Sequence, residues 1–286
     1  MATIAAEELF WDAFVASEYE RVGELSDALK AAVEARPDDS YPALLRGLLY
    51  MWALVERERD PSIGPAELLA YSNEADTWLG KAYELNPADL RALGWRGAIK
   101  VKVGLYTGNE ALVTEGKAMV DKSKEYSALF STYLQSTRYE ELSSADPDFA
   151  LGVALKFDVL DLCVGEPIDR DNPDYAPHMA KATTEGLTRF CWNIPEAPHN
   201  FEGYQANLGE LVLKQGNVDT AKVLFNNVKL SPDYETWPLR PRFETMLADD
   251  LAERASRYQD ADPDNDPEGY TGPYACGTCH AKSIPE

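Results

Sequence analysis

The sequence predicts an all-α protein, built as an irregular array of antiparallel helical hairpins with an irregular C-terminal tail. Apolar residues recur at helical spacing through most of the chain. No segment shows sustained apolar–polar alternation punctuated by turn residues, so strands are not expected. Three separate segments also place small and apolar residues at repeated offsets ahead of a proline.

Residues 6–36 predict the first two helices. Their apolar side chains follow helical spacing on both sides of a break that we place at Val22–Gly23. Pro37 is expected to stop the second helix, because proline lacks the amide hydrogen that would continue it.

The repeated offsets occur at the ends of helices. Leu25, Leu29, Ala32 and Pro37 have the same spacing as Ala75, Leu79, Ala82 and Pro87. Gly47 and Gly97 each lie ten residues beyond the corresponding proline, where a small residue lets two helices cross closely. A third copy, over 204–233, is carried by Gly209, Ala221, Phe225, Val228 and Pro232.

These offsets resemble the tetratricopeptide repeat, most closely over 204–233 and in part over 24–50 and 70–100. A Pro/Gly loop over 58–70 interrupts the pattern. The resemblance implies an α-solenoid whose concave face holds a peptide or protein segment. An ordinary antiparallel helical bundle remains the alternative.

The middle of the chain predicts further helices over 107–142 and a strongly apolar helix after Asp146-Pro147-Asp148. The aspartates around Pro147 are expected to cap that helix. Because the helix is apolar nearly all round, we expect it at the centre of the core.

Residues 164–200 are rich in proline and are bracketed by Cys163 and Cys191. In an exported protein these two cysteines are expected to form a disulfide, whereas in a cytosolic protein they would be buried free thiols. Trp192, Asn193, His199 and Asn200 form a second candidate functional feature on this loop. The alternative is a loop held by side-chain hydrogen bonds, with His199 capping the next helix.

The charge of the chain restricts its partners. Forty-nine acidic residues face 27 basic ones, for a net charge of -22. Nucleic acid and anionic membranes are therefore disfavoured, and a basic protein partner is compatible. The alternative is that the charge serves only to keep the surface soluble. No apolar run is long enough to span a membrane. The N-terminal residues lack the features of a signal peptide.

The tail begins with alternate aspartates, Asp260, Asp262, Asp264 and Asp266. They could bind calcium, but the glycine and glutamate of an EF-hand loop are missing. We therefore predict a helical domain over 1–258 and an acidic, solvated linker with the tail over 259–286.

The strongest chemical signal is Cys276-Gly-Thr-Cys279-His280. Two thiols at this spacing can each form a thioether to a haem vinyl group, with the following imidazole beneath the iron. The motif resembles the attachment site of c-type cytochromes, which implies one covalent haem c with His280 as proximal ligand. A redox dithiol, three ligands of a zinc site and a chance match are the alternatives.

No Met or His follows His280, so a second iron ligand would come from upstream, another chain or water. His199 is our first choice, with His178 and Met246 as alternatives.

We expect a periplasmic or otherwise extracytoplasmic protein whose signal peptide is not part of this sequence. It would exchange electrons with a docked protein, such as a redox partner or a membrane-complex subunit, and would not be an enzyme. One alternative is a non-redox scaffold or accessory binding protein, since the architecture is also similar to the helical T-component of certain solute-uptake systems. Another is a peroxidase-like enzyme with an open iron position.

Overall fold

The fold is all-α, as the sequence predicts. A computed structural model of the chain describes residues 2–16, 18–55, 64–136, 144–146, 148–179, 193, 199–260 and 262–270. Within these ranges the regular secondary structure is helical and no strand occurs. The chain divides into two compact units, the first ending at Leu134 and the second beginning at Gln135. The sequence did not predict this division within 1–258.

The helices follow one another in hairpins. In chain order they are α1 (Ala2–Val15), α2 (Val22–Ala35), α3 (Ser40–Val55), α4 (Pro65–Leu85), α5 (Leu90–Thr107), α6 (Glu110–Lys122) and α7 (Ala128–Ser136). They continue with α8 (Phe149–Val164), α9 (Asn200–Lys214), α10 (Val218–Val228), α11 (Arg240–Ala248) and α12 (Leu251–Gln259).

Local sequence signals explain where several helices begin and end. The side chains of Asp89, Asn109, Asn217 and Asp250 accept hydrogen bonds from backbone amides in the first turn of α5, α6, α10 and α12. Gly108 ends α5 in the left-handed conformation, at φ 68°. The break expected at Val22–Gly23 was placed too late, because α2 begins at Val22 and the break lies before it. The interruption expected over 58–70 also ends earlier, since Pro65 opens α4.

The first unit is held together by close helix crossings at glycine. A Cβ added to Gly47 of α3 would lie 2.6 Å from Leu79 Cγ on α4. A Cβ added to Gly97 of α5 would lie 2.6 Å from the Gly116 carbonyl oxygen on α6. Pro37 and Pro87 are thus each followed, ten residues later, by a glycine that packs against the next helix, as the repeated offsets predict.

The second unit contains the equivalent crossing between α9 and α10. A Cβ on Gly209 would lie 2.4 Å from the Phe225 ring. Gly216 makes the turn between these helices at φ 84°, where an L side chain would be strained. The solenoid arrangement of the hairpins stays a prediction.

Helix α8 departs from its predicted place at the centre of the core. Phe149, Val153 and Phe157 are buried, but Leu151 is 49% and Leu162 41% exposed. One face of α8 therefore meets solvent. Asp148 occupies the N-cap position without a side-chain cap. The predicted capping by Asp148 is therefore wrong, whereas the Asp146 side chain accepts a 2.8 Å hydrogen bond from the Asp148 amide directly before the helix.

The described helices include none that is both long and apolar enough to cross a membrane.

The crossing at Gly97 predicts a sharp cost for one added methyl group. Gly97→Ala would press Cβ against the backbone of α6, which cannot rotate away as a side chain can, and is expected to lower the free energy of unfolding by roughly 1–3 kcal/mol. Gly23→Ala is the matched control, because a Cβ there meets nothing within 4 Å. It should be neutral or stabilising in urea unfolding. Equal effects of the two substitutions would contradict the tight crossing.

Candidate functional site

The described residues include part of the predicted site. Cys276, Cys279, His280, Cys191 and Trp192 lie outside the described residues. His178, His199, Met246, Cys163 and Asn193 lie within them.

Cys163, near the end of α8, is disulfide-bonded. It is therefore not the buried free thiol of the alternative prediction. Its bonding partner lies outside the described residues, so the pairing with Cys191 stays a prediction.

His199 stands immediately before α9 in a strained conformation. Its φ is 63°, which lies in the left-handed region that residues other than glycine seldom adopt. It occupies the N-cap position, but its side chain makes no capping hydrogen bond, so the predicted cap is wrong. Its Nδ1 instead lies 3.4 Å from Oε1 of Glu202, whose side chain is fully buried. With Nδ1 facing a carboxylate, Nε2 is the ring atom left to bind a ligand.

Asn193 caps α9 in place of His199. Its Oδ1 accepts a hydrogen bond of 3.0 Å from the Phe201 amide. This bond fixes the orientation of the amide group, so that Nδ2 points at acceptors on the other side. Nδ2 lies 3.0 Å from Oε2 of Glu202 and 3.0 Å from Oδ2 of Asp233. Asn193 thus joins two carboxylates to the start of α9. This agrees with the alternative prediction that side-chain hydrogen bonds hold the loop.

His178 lies close to the same turn. Its Nδ1 is 3.6 Å from Oε1 of Glu166. Its ring lies 5.8 Å from the ring of Tyr175, which in turn lies 5.5 Å from the ring of Phe201 on α9. The structure therefore brings His178 and His199 to the same end of α9.

Met246 is placed differently. It lies on α11 and is only 4% exposed. Its sulfur could bind an iron only if the side chain left the core, which makes it the weakest of the three candidates.

The segment Asp266–Tyr270, which we call the strap, contradicts the expectation of a solvated linker. Tyr270 is 4% exposed and its ring lies 5.7 Å from that of Trp237. Its hydroxyl donates a 3.0 Å hydrogen bond to the Gly203 carbonyl in the first turn of α9. The compositional signal was misleading, because acidic side chains point outward while the backbone and Tyr270 pack inward.

A buried polar cluster holds the strap backbone. Tyr258 Oη donates to the Pro267 carbonyl at 3.0 Å, and Arg254 Nη2 donates to the Glu268 carbonyl at 2.8 Å. Both side chains come from α12 and also approach Glu210 of α9, Tyr258 at 3.4 Å and Arg254 at 3.7 Å.

The carboxylate of Glu210 contacts the strap directly. The Tyr270 amide donates a hydrogen bond to it. A Cβ on Gly269 would lie 2.8 Å from its Oε2, so a larger residue there would have to displace the carboxylate or the strap. Burial raises the pKa of the Glu210 carboxyl above its usual range, and the lowering effects of Arg254, Lys214, Tyr270 and Tyr258 do not fully offset it.

The alternate aspartates bind their own backbone. Asp260 Oδ1 accepts from the Asp262 amide at 2.8 Å, and Asp262 Oδ1 accepts from the Asp264 amide at 3.2 Å. In the described ranges, no three His, Cys, Asp or Glu side chains are grouped so that they could hold a metal ion.

Sequence reasoning missed the buried carboxylates of Glu202 and Glu210, which are the two found in the described part of the chain. Glu210 had a signal: it is the one charged residue within the otherwise apolar stretch Leu208–Leu213. A charge in such a stretch is expected to be paired inside the fold. Glu202 had no comparable signal, since it lies among polar residues.

Comparison with protein-family models, with curated proteins and with solved structures gives no match for this chain.

Glu210 predicts a distinctive pH dependence of stability. Its pKa is raised above the ordinary 4.5, so the folded chain binds this proton more tightly than the unfolded chain. The associated stability is fully present below pH 4.5 and is lost as pH rises through the raised value. Glu210→Gln carries no such proton. Its stability relative to the wild type, measured by urea unfolding, should therefore increase as the pH is raised.

Glu244→Gln is the control of opposite sign. Hydrogen bonds from Arg240 and Tyr234 lower the pKa of the Glu244 carboxyl, so its contribution is lost as pH falls. The relative stability of this variant should decrease as pH rises, by a small amount because the group is exposed. If the stability of Glu210→Gln relative to the wild type stayed constant or fell as pH rises, the raised pKa of the buried Glu210 carboxyl would be contradicted.

Proposed function

We propose that this is an extracytoplasmic helical protein that carries one covalent haem c and exchanges electrons with a docked protein. The observation that carries the proposal is the motif Cys276-Gly-Thr-Cys279-His280. Its two thiols and imidazole have the spacing of a haem-attachment site, with His280 as the iron ligand. When bound, the haem supplies one-electron chemistry that amino-acid side chains lack.

The donor chemistry of the chain fits this group. Haem attachment requires two reduced thiols that are free of other bonds. Cys163 is already disulfide-bonded, and pairing with Cys191 would leave Cys276 and Cys279 for the haem. A disulfide also supports an oxidising, extracytoplasmic location.

His199 is our proposed second ligand. Glu202 holds its Nδ1, an arrangement that orients histidines for binding metal through Nε2. The positive φ of His199 also supports a functional role, because strained backbone is retained where the surroundings require it. His178 is the second candidate, since its Nδ1 also faces a carboxylate, and Met246 is the third.

The partner is expected to present a basic surface. The net charge of -22 creates a field that attracts such a surface and repels nucleic acid. A redox protein or a subunit of a membrane complex with a basic face would fit this field.

Intact mass tests the haem directly. Protein that is exported together with a haem-maturation system should gain the mass of one haem, and the gain should survive denaturation because it is covalent. Replacing both Cys276 and Cys279 by Ala should abolish it. Replacing both Cys163 and Cys191 by Ser is the matched control and should leave the gain intact.

Absence of the gain in exported, matured protein would contradict the proposal and favour a non-redox scaffold, such as an accessory protein of a solute-uptake system. A haem that binds cyanide or carbon monoxide without displacing a protein ligand would instead favour an open iron and a peroxidase-like enzyme.

The second ligand has its own spectroscopic test. His199→Ala should shift the Soret band and allow cyanide or carbon monoxide to bind, because the iron loses a strong ligand. His178→Ala and Met246→Leu should leave the spectrum unchanged. A spectral change in either of these two variants, with none in His199→Ala, would assign the ligand differently.

A further inference from the structure

We propose that the strap, Asp266–Tyr270, is a positioning device that sets how far the haem-bearing tail can reach. The role of the tail rests on the proposed function, whereas the anchoring is a property of the chain without haem. The strap would keep the motif near α9.

Side chains of α9 and α12 form hydrogen bonds with the backbone of the strap. The carbonyls of Pro267 and Glu268 accept from Tyr258 and Arg254, and the Tyr270 amide donates to Glu210. Three attachment points within four residues fix the path of the chain as well as its position, because each backbone group has a defined direction.

The strap is also fixed from its side chains. The Tyr270 ring is buried against Trp237 and Phe243, at 5.7 and 6.0 Å between ring centres. Arg242 forms an ion pair of 3.1 Å with Glu268 on the outer edge. Burial of a whole tyrosine ring contributes far more than an exposed ion pair, so Tyr270 is the principal apolar anchor.

Because the strap is anchored, the number of residues between Tyr270 and Cys276 limits how far the first thiol can move from the strap. Cys276 follows Tyr270 by six residues, a span of at most roughly 20 Å. Cys276 follows Gln259, the last residue of α12, by 17 residues, so a tail free from that point could reach roughly 60 Å. Docking the strap therefore shrinks the volume open to the first thiol by roughly 20-fold on this chain-length estimate.

The anchored end is bound to α9, the helix that His199 precedes. Tyr270 Oη donates to the Gly203 carbonyl, and the Gly203 amide donates to the His199 carbonyl at 3.1 Å. The Tyr270 backbone itself lies beside Glu210, which follows His199 by eleven residues, about 16 Å along the α9 axis. The proposed second ligand is therefore within the roughly 20 Å that separate Tyr270 and Cys276 at most. A ligand held at short tether length binds at high effective concentration, and that advantage falls as the tether lengthens.

The test uses the full chain without haem. One nitroxide label is placed on Cys279 in a Cys276→Ser background, and a second on Lys222→Cys, an exposed position of α10. Pulsed electron paramagnetic resonance then gives the distribution of distances between the labels. We expect a confined distribution for the native strap.

Gly269→Ala should broaden the distribution at least twofold, because the added methyl group collides with Glu210 and displaces the strap. Gly23→Ala, with no neighbour within 4 Å, is the matched control and should leave it unchanged. Tyr258→Phe is a milder second variant that removes the hydrogen bond to Pro267 while keeping the ring, and should broaden it less. Circular dichroism confirms that each variant is folded.

Equal distributions in the native and Gly269→Ala chains would overturn the proposal, as would a native distribution as broad as that of a 17-residue free tether. Because no haem is present, the outcome is independent of haem attachment. Conversely, a colourless matured protein would overturn the proposed haem attachment, but the anchoring of the strap could still be measured.

Discussion

The second unit depends on the burial of one carboxylate, that of Glu210. A charge removed from water is unfavourable unless nearby groups compensate it, and here Arg254, Tyr258 and the Tyr270 amide do so in part. Two of these partners also bind the strap carbonyls. The same cluster therefore partly compensates the buried carboxylate and fixes the chain that leads to the Cys276–His280 motif. Loss of one partner would weaken the compensation of the carboxylate as well as the hold on the strap.

Helix α9 carries a second buried carboxylate, Glu202, eight residues before Glu210 and about 12 Å away along the helix axis. Each carboxylate holds a segment from elsewhere in the second unit: Glu202 binds the Asn193 amide, and Glu210 binds the strap. The apolar packing of α9, including the tight contact of Gly209 with Phe225, places both carboxylates where water is excluded. Helix α9 thus connects the packing of the unit to the residues that we propose as functional.

The sequence predicted the helical class, most helix positions and the glycine crossings, because these follow from local periodicity and from the small volume of glycine. It misplaced features that depend on tertiary contacts. Leu151 and Leu162 are apolar, so the sequence predicted that α8 is buried all round. A helix that is apolar on every side can still expose one side to solvent, and here these two leucines lie on that side. The acidic residues after Asp260 predicted a solvated linker, and composition did not reveal that Tyr270 inserts beside Trp237. The capping of α9 by Asn193 depends on a residue that precedes His199 by six positions, which local capping rules do not cover.

The most direct test of the central claim is extraction of the exported, matured protein with acidified organic solvent, followed by absorption spectroscopy of both phases. A haem held by thioethers to Cys276 and Cys279 must remain with the denatured polypeptide, since the solvent breaks iron–ligand bonds but leaves carbon–sulfur bonds intact. Haem absorbance in the polypeptide fraction is the predicted result. Colour that moves entirely into the solvent, or colourless protein whose tail thiols react fully with an alkylating reagent, would contradict the account.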